Sequence, residues 1–167
     1  MNIKTNITEL IGKTPIVELG RLKKEYNLKS NVFAKLESFN PAGSAKDRVA
    51  LYMLNDAIKQ GKINKDTVII EPTSGNTGVG LASICAYLSY KLIITMPENM
   101  SEERINLMRA YGTTVILTDA KKGMKGAISE ANHLHEEIEN SFIPSQFDNP
   151  SNPLPTMKQQ VLKYMMI

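Results

Sequence analysis

The chain has 167 residues, 42% of them apolar and 22% charged, a composition that supports one globular domain with a core and excludes wholesale disorder and fibrous repeats. Lys and Arg number 20 against 17 Asp and Glu, a net charge of only +3 that argues against nucleic acid as a partner. The single cysteine excludes an internal disulfide and a Cys-based zinc site, and no run reaches the roughly 18 apolar residues of a membrane span.

The N-terminus, Met1 to Asn6, lacks the apolar core of a signal peptide, so a reduced, cytoplasmic setting is expected. The first 30 residues, with Gly12-Lys13-Thr14-Pro15, read as a lead-in. Val32, Phe33, Ala34 and Leu36 form the first strand candidate. Val49, Ala50, Met53, Leu54, Ala57 and Ile58 recur at helical spacing, with Gly61 as a stop. Val68-Ile69-Ile70 predicts a buried strand, and Val79 to Leu88 a strongly apolar helix. Leu92-Ile93-Ile94 is the next strand, and Ser101 can cap a helix carrying Ile105, Leu107 and Met108. Val115-Ile116-Leu117 and a helix through Ala127, Ile128, Ala131, Leu134 and Ile138 complete the series, before Phe142-Ile143 and a Pro/Asn-rich loop. Strands alternating with helices imply an α/β fold, with a mostly parallel sheet flanked by helices and functional loops at the carboxyl ends of the strands.

Three loops carry polar chemistry. Asn40 to Arg48 precedes a helix, and Ser44 with Asp47 has capping-box spacing that starts that helix at Ser44. Lys46 then sits in the first turn, where the helix dipole and partial burial favour the neutral amine, a nucleophile that forms Schiff bases. The alternative is a surface lysine in a capped turn. Glu71 to Gly80 joins a strand to an apolar helix, and its small residues, hydroxyls and amide suit a carboxylate or phosphate at a helix N-terminus. A plain capped turn is the alternative, and a dinucleotide fingerprint matches only weakly, because Ser83 stands where the third glycine belongs. Gln146 to Pro153 is either a rigid recognition loop or a domain exit.

Elsewhere the residues read as structure. His133 and His135, two apart on a helix, face different directions and share no metal. Cys85 is a packing residue of an apolar helix. Glu102-Glu103-Arg104 is the charged first turn of a solvated helix, and the basic pairs Lys23-Lys24 and Lys121-Lys122 are solvated surface.

Together, Pro41-x-x-Ser44-x-Lys46-Asp47-Arg48 and Thr73-Ser74-Gly75-Asn76-Thr77-Gly78 resemble the cysteine synthase (O-acetylserine sulfhydrylase) family of fold-type II enzymes that use pyridoxal phosphate (PLP). The likeness runs from about Ile7 to Pro153. It includes Leu10 to Pro15, Ala34 to Glu37, Met96 to Arg104, Lys122 to Ile128 and Gln146 to Pro150. The last two favour cysteine synthase over the alternatives, cystathionine β-synthase or serine/threonine dehydratase. The resemblance implies that Lys46 holds PLP as a Schiff base and moves the α-proton. It implies that Asn76 meets the ring hydroxyl oxygen, and that Thr73, Ser74, Gly75, Thr77 and Gln146 hold the substrate α-carboxylate. The family reaction eliminates acetate from O-acetylserine and adds sulfide to form cysteine; its members form homodimers and bind serine acetyltransferase.

Residues 1–35 are expected to belong to the family's larger domain and 36–153 to form its small α/β domain. Past Pro153 the likeness stops. The family's glycine-rich phosphate loop, and the serine that meets the pyridine nitrogen, have no counterpart here. The family continuation Glu-Thr-Thr-Gly-Pro-x-Ile-Tyr-Asp-Asp is accessible in codons from Pro155 onward read two nucleotides out of register. The expectation is a frameshift shortly after Asn152, an aberrant tail over 154–167, weak PLP binding and no activity of this chain alone. The alternative is a tail with its own helical face through Met157, Val161 and Met165.

Overall fold

A computed structural model describes residues 3–161. Its centre is a four-stranded sheet: the β-branched runs form β3 (Val68–Pro72), β4 (Lys91–Pro97) and β5 (Thr114–Thr118), and Ser141–Phe142 forms the short β6. The order is β5-β4-β3-β6, and every neighbour is parallel. Three helices alternate with these strands, α3 (Asn76–Leu88), α4 (Glu102–Ala110) and α5 (Gly123–Glu137). Successive side chains of a strand point to opposite faces. Ile94 of β4 approaches Gly78 of α3, whereas the next residue, Thr95, donates its hydroxyl to the Ala127 carbonyl of α5 at 2.8 Å. Helices therefore cover both faces of the sheet, and Ile69, Ile70, Ile94 and Met96 between them are fully buried. Cys85 lies in the same core, where burial pushes its thiol up to about 12.

The first strand candidate departs from the expected alternation. Phe33–Lys35 (β2) pairs antiparallel with Ile16–Glu18 (β1), in a separate two-stranded sheet. The physical reason is proximity along the chain. An antiparallel partner needs no helical crossover, so the lead-in, with the short helix α1 (Gly20–Glu25) between the strands, satisfies β2 before the parallel sheet begins.

This hairpin segment is tied to the α/β layer by a part-buried ion pair. Arg48, 1% exposed, holds Glu37 through Nε–Oε2 at 2.8 Å and Nη2–Oε1 at 2.9 Å. Thr14 donates to Glu37 at 2.7 Å, and Lys35 Nζ reaches the same Thr14 hydroxyl. Burial raises the Glu37 pKa, but the Arg48 guanidinium with Thr14 and Asn40 outweighs it and holds the carboxyl down at about 2.

Arg48 belongs to α2 (Lys46–Lys59), whose start lies two residues beyond the expected one. The capping chemistry is nevertheless present. Ser44 Oγ accepts from the Lys46 N–H at 3.1 Å, and Asp47 Oδ1 accepts from the Ser44 N–H at 3.3 Å. Likewise Ser101 caps α4 by accepting from the Arg104 N–H. His133 and His135 are exposed on α5. Of the C-terminal stretch, Thr156–Val161 forms a π-helical run; residues 162–167, Met165 among them, lie outside the described residues.

The packing of α2 on α3 decides where Lys46 stands. A Cβ placed on Gly80 would meet the Lys46 carbonyl oxygen at 3.2 Å and Ala50 Cβ at 3.3 Å. Glycine is what lets the two helices close at this level. Gly80→Val is expected to lower the stability of the chain by about 1–3 kcal/mol by overpacking this contact, read as a fall in the urea midpoint. It is also expected to shift the amide resonances of Lys46 and Ala50; a midpoint and resonances equal to those of the parent would show that the approach is not constrained.

Candidate active site

Five chain segments converge beyond the carboxyl ends of the strands. Pro72 ends β3, and the Thr73 N–H still donates to the Thr95 carbonyl at 3.1 Å, so the loop leaves the sheet from a fixed point. Gly75 lies in extended backbone, and α3 begins at Asn76. The first turn of α2 brings Lys46 alongside, and the chain after β6 returns with Gln146. These segments line an open cleft of roughly 370 Å³, to which Arg104, Met124 and Phe147 also contribute.

Lys46, Thr73, Ser74, Gly75, Asn76, Thr77 and Gln146 all line this one cleft. Lys46 is half-buried and Asn76 exposed, whereas Thr73, Thr77 and Gln146 are buried. The Thr77 hydroxyl donates to Gln146 Oε1 at 2.7 Å, joining the start of α3 to the loop after β6. Thr73 Oγ1 accepts from the Gly75 N–H at 3.4 Å. Gly78 secures Thr73 from below, since a Cβ there would lie 2.9 Å from Met108 Sδ and 3.0 Å from Thr73 Cγ2. Among the described residues no carboxylate lines the cleft, and two basic side chains, Lys46 and Arg104, do. Hydroxyls, amides and positive charge without an opposing acid suit an anionic ligand.

Two residues of this region are not among the site residues that the sequence singled out. Arg104 reads as part of a solvated first turn, yet it lines the cleft. The signal was the rule that loops and helix starts after parallel strands face the site, applied to β4. Glu71 precedes the hydroxyl loop and is 1% exposed. Its Oε2 accepts from the Ser145 N–H at 2.9 Å and its Oε1 from the Gln146 N–H at 3.1 Å. Burial pushes this carboxyl up to about 7, against the opposing pull of those two N–H groups and the Gln146 side chain. An acid at the end of an otherwise β-branched run was the one sequence signal for it.

A family model described as "Pyridoxal-phosphate dependent enzyme" matches residues 7–160. A cysteine synthase of Flavobacterium sp. is 52% identical over 161 residues, covering 95% of this chain and 52% of the relative. A crystal structure of a hydrogen sulfide-producing enzyme from Fusobacterium nucleatum superposes with a TM-score of 0.91 at 46% identity, over 99% of this chain and 54% of that one. A cysteine synthase structure from Entamoeba histolytica does so with a TM-score of 0.85 at 44% identity, over 90% and 45%. The chain thus spans about half the length of the curated relatives it matches.

Glu71 also makes stability depend on pH. Its folded pKa of about 7 lies above the ordinary 4.5, so its contribution is fully present below 4.5 and is lost as pH rises through about 7. Between pH 5 and 8 the chain is expected to lose roughly 3 kcal/mol through this group. Glu71→Gln should remove that part of the slope; equal slopes of urea midpoint against pH in the two proteins would refute the assignment.

Proposed function

Because the chain belongs to the pyridoxal-phosphate dependent enzyme family, we propose that it carries the amine and carboxylate side of a cysteine synthase site, making L-cysteine from O-acetyl-L-serine and sulfide. One observation carries this reading: a half-buried lysine on a helix's first turn shares a single cleft with a hydroxyl- and amide-rich loop. The donor set fits pyridoxal phosphate at its aldehyde and ring hydroxyl. Lys46 offers a primary amine, and Asn76 an exposed side-chain amide at the start of α3. When bound, the cofactor supplies the electron sink that acidifies the substrate Cα–H.

The chain's own residues then divide the remaining work. Lys46 Nζ anchors the cofactor and moves the Cα proton, a task for a primary amine that both bonds to a carbonyl and accepts a proton. Thr73, Ser74, Gly75, Thr77 and Gln146 hold and orient the substrate carboxylate through hydroxyl and amide donors at a helix N-terminus. The hydroxyl–amide bond between Thr77 and Gln146 organises that cradle before substrate arrives, which lowers the cost of ordering it on binding.

The larger assembly follows the same reading. Residues 1–35 carry exposed apolar side chains, among them Val17, Tyr26 and Phe33, suited to burial against a larger domain or a second copy, as in a homodimer. Serine acetyltransferase is the proposed protein partner and the cytoplasm the proposed location; among the described residues, no helix is long and apolar enough to cross a membrane.

The activity test is cysteine formation from O-acetylserine and sulfide with added pyridoxal phosphate. It is run on this chain and on the chain extended by the half that its relatives possess. The extended protein is expected to turn over and its Lys46→Ala variant to be inactive, and borohydride reduction should fix the cofactor on Lys46. Label on Lys35 or Lys62, or full activity in Lys46→Ala, would sink the assignment.

In the same protein Thr77→Val is expected to weaken amino-acid substrate binding by about 1.5–3 kcal/mol, since the Gln146 amide loses the hydroxyl that orients it toward the carboxylate, with the cofactor retained. Unchanged affinity for the substrate would return the Thr73–Thr77 loop to a plain capped turn.

A further inference from the structure

Glu71 occupies a position where an apolar side chain is expected. It follows Ile69 and Ile70, both fully buried, in the β3 run, and is itself 1% exposed. No ion pair to it occurs among the described residues. Both carboxylate oxygens are used instead on the backbone N–H groups of Ser145 and Gln146, 74 and 75 residues further along the chain. A buried carboxylate is costly unless such bonds require it. The turn it grips is an unusual one. Ser145 has φ +54°, in the left-handed region that favours glycine. From the other side, Asn152 Nδ2 donates to the Gln146 carbonyl at 2.6 Å. Gln146 is thus held by its N–H and its carbonyl, and its side chain meets the Thr77 hydroxyl.

We infer that Glu71 is a positioning residue of the candidate site: its carboxylate clamps the Ser145–Gln146 turn and so holds the Gln146 amide against Thr77 in the carboxylate cradle. Strand β3 then serves the site twice, since its end launches the hydroxyl loop and its last buried acid anchors the loop that faces it. The geometry favours a clamp over core filling. Two parallel acceptors on one rigid strand match two consecutive N–H groups, whereas a side chain that only filled space needs no acceptor. The inference deepens the reading of the cleft as a carboxylate site and rests on it.

The test uses the isotope-labelled full chain and two variants, Glu71→Met and Glu71→Gln. Methionine keeps the volume and removes both acceptors; glutamine keeps the shape and one acceptor. Amide exchange at Ser145 and Gln146 is expected to quicken at least tenfold in Glu71→Met and less in Glu71→Gln, while exchange at Ile69 and Ile94 is unchanged. L-Serine, titrated against the Thr77 amide resonance, is expected to bind about tenfold more weakly to Glu71→Met, consistent with one lost charge-assisted bond. Gln146→Ala should weaken it by a similar factor, and the double variant by no more than either single one, because both act through one contact. Exchange at residues 145–146 unchanged in Glu71→Met overturns the clamp, as does equal quickening throughout β3 and β4, which would mark Glu71 as a general core residue. Additive losses in the double variant also overturn it. Should Gln146→Ala bind L-serine like the parent chain, the carboxylate reading of the cleft falls instead, and the exchange at 145–146 still decides whether Glu71 grips the turn.

Discussion

The close approach of α2 to α3 at Gly80 is the constraint on which the rest of the site depends. Helix pairs with ordinary side chains between them stay about 8–10 Å apart along their axes. Here a missing Cβ lets the Lys46 carbonyl and Ala50 settle onto α3 one turn past its start. That contact sets the amine of α2 beside the hydroxyls of the next helix's leading loop. It involves backbone rather than flexible side-chain ends, so little can give way without displacing Lys46.

Around this contact the site is assembled from elements that are rigid for independent reasons. Strand β3 is paired on both sides, with β4 and β6, so the loop that leaves it starts from a fixed point. Glu71 at the end of that strand grips the turn carrying Gln146, and Gln146 closes back onto Thr77. At the opposite side Arg48, two residues along from Lys46, is locked by Glu37, Thr14 and the surrounding burial. The first turn of α2 is therefore held by backbone packing against α3 and by an ion pair against the lead-in. Charge is distributed accordingly. The carboxylates that structure the region, Glu37, Asp47 and Glu71, are engaged by internal partners, which leaves the cleft itself lined by basic side chains and neutral donors.

The family relationship and the geometry bear on each other at that point. Relatives about twice as long match nearly all of this chain, and the cleft formed here is an open one.

Much of this was legible in the sequence because it is local. Periodicity of apolar residues placed helices α2 to α5 and the four parallel strands, capping chemistry marked the start of α4 and, two residues early, that of α2, and an apolar stripe marked Cys85 as buried. Each signal is contained within a few consecutive residues, where rise per residue and hydrogen-bond reach dictate what is possible. The polar character of the loops that line the cleft, with their hydroxyls and a lysine, was legible for the same reason. What only the tertiary structure decided lies in contacts across long separations. The pairing of β2 with β1 depended on which partner was available. The meeting of Thr77 with Gln146, 69 residues apart, and of Glu71 with Ser145 and Gln146 depended on strand β6 docking beside β3. The turning of Arg104 into the cleft depended on where the sheet set the start of α4. Strand order is chosen by the burial of the whole core, a sum over many weak contacts that no single window of sequence contains.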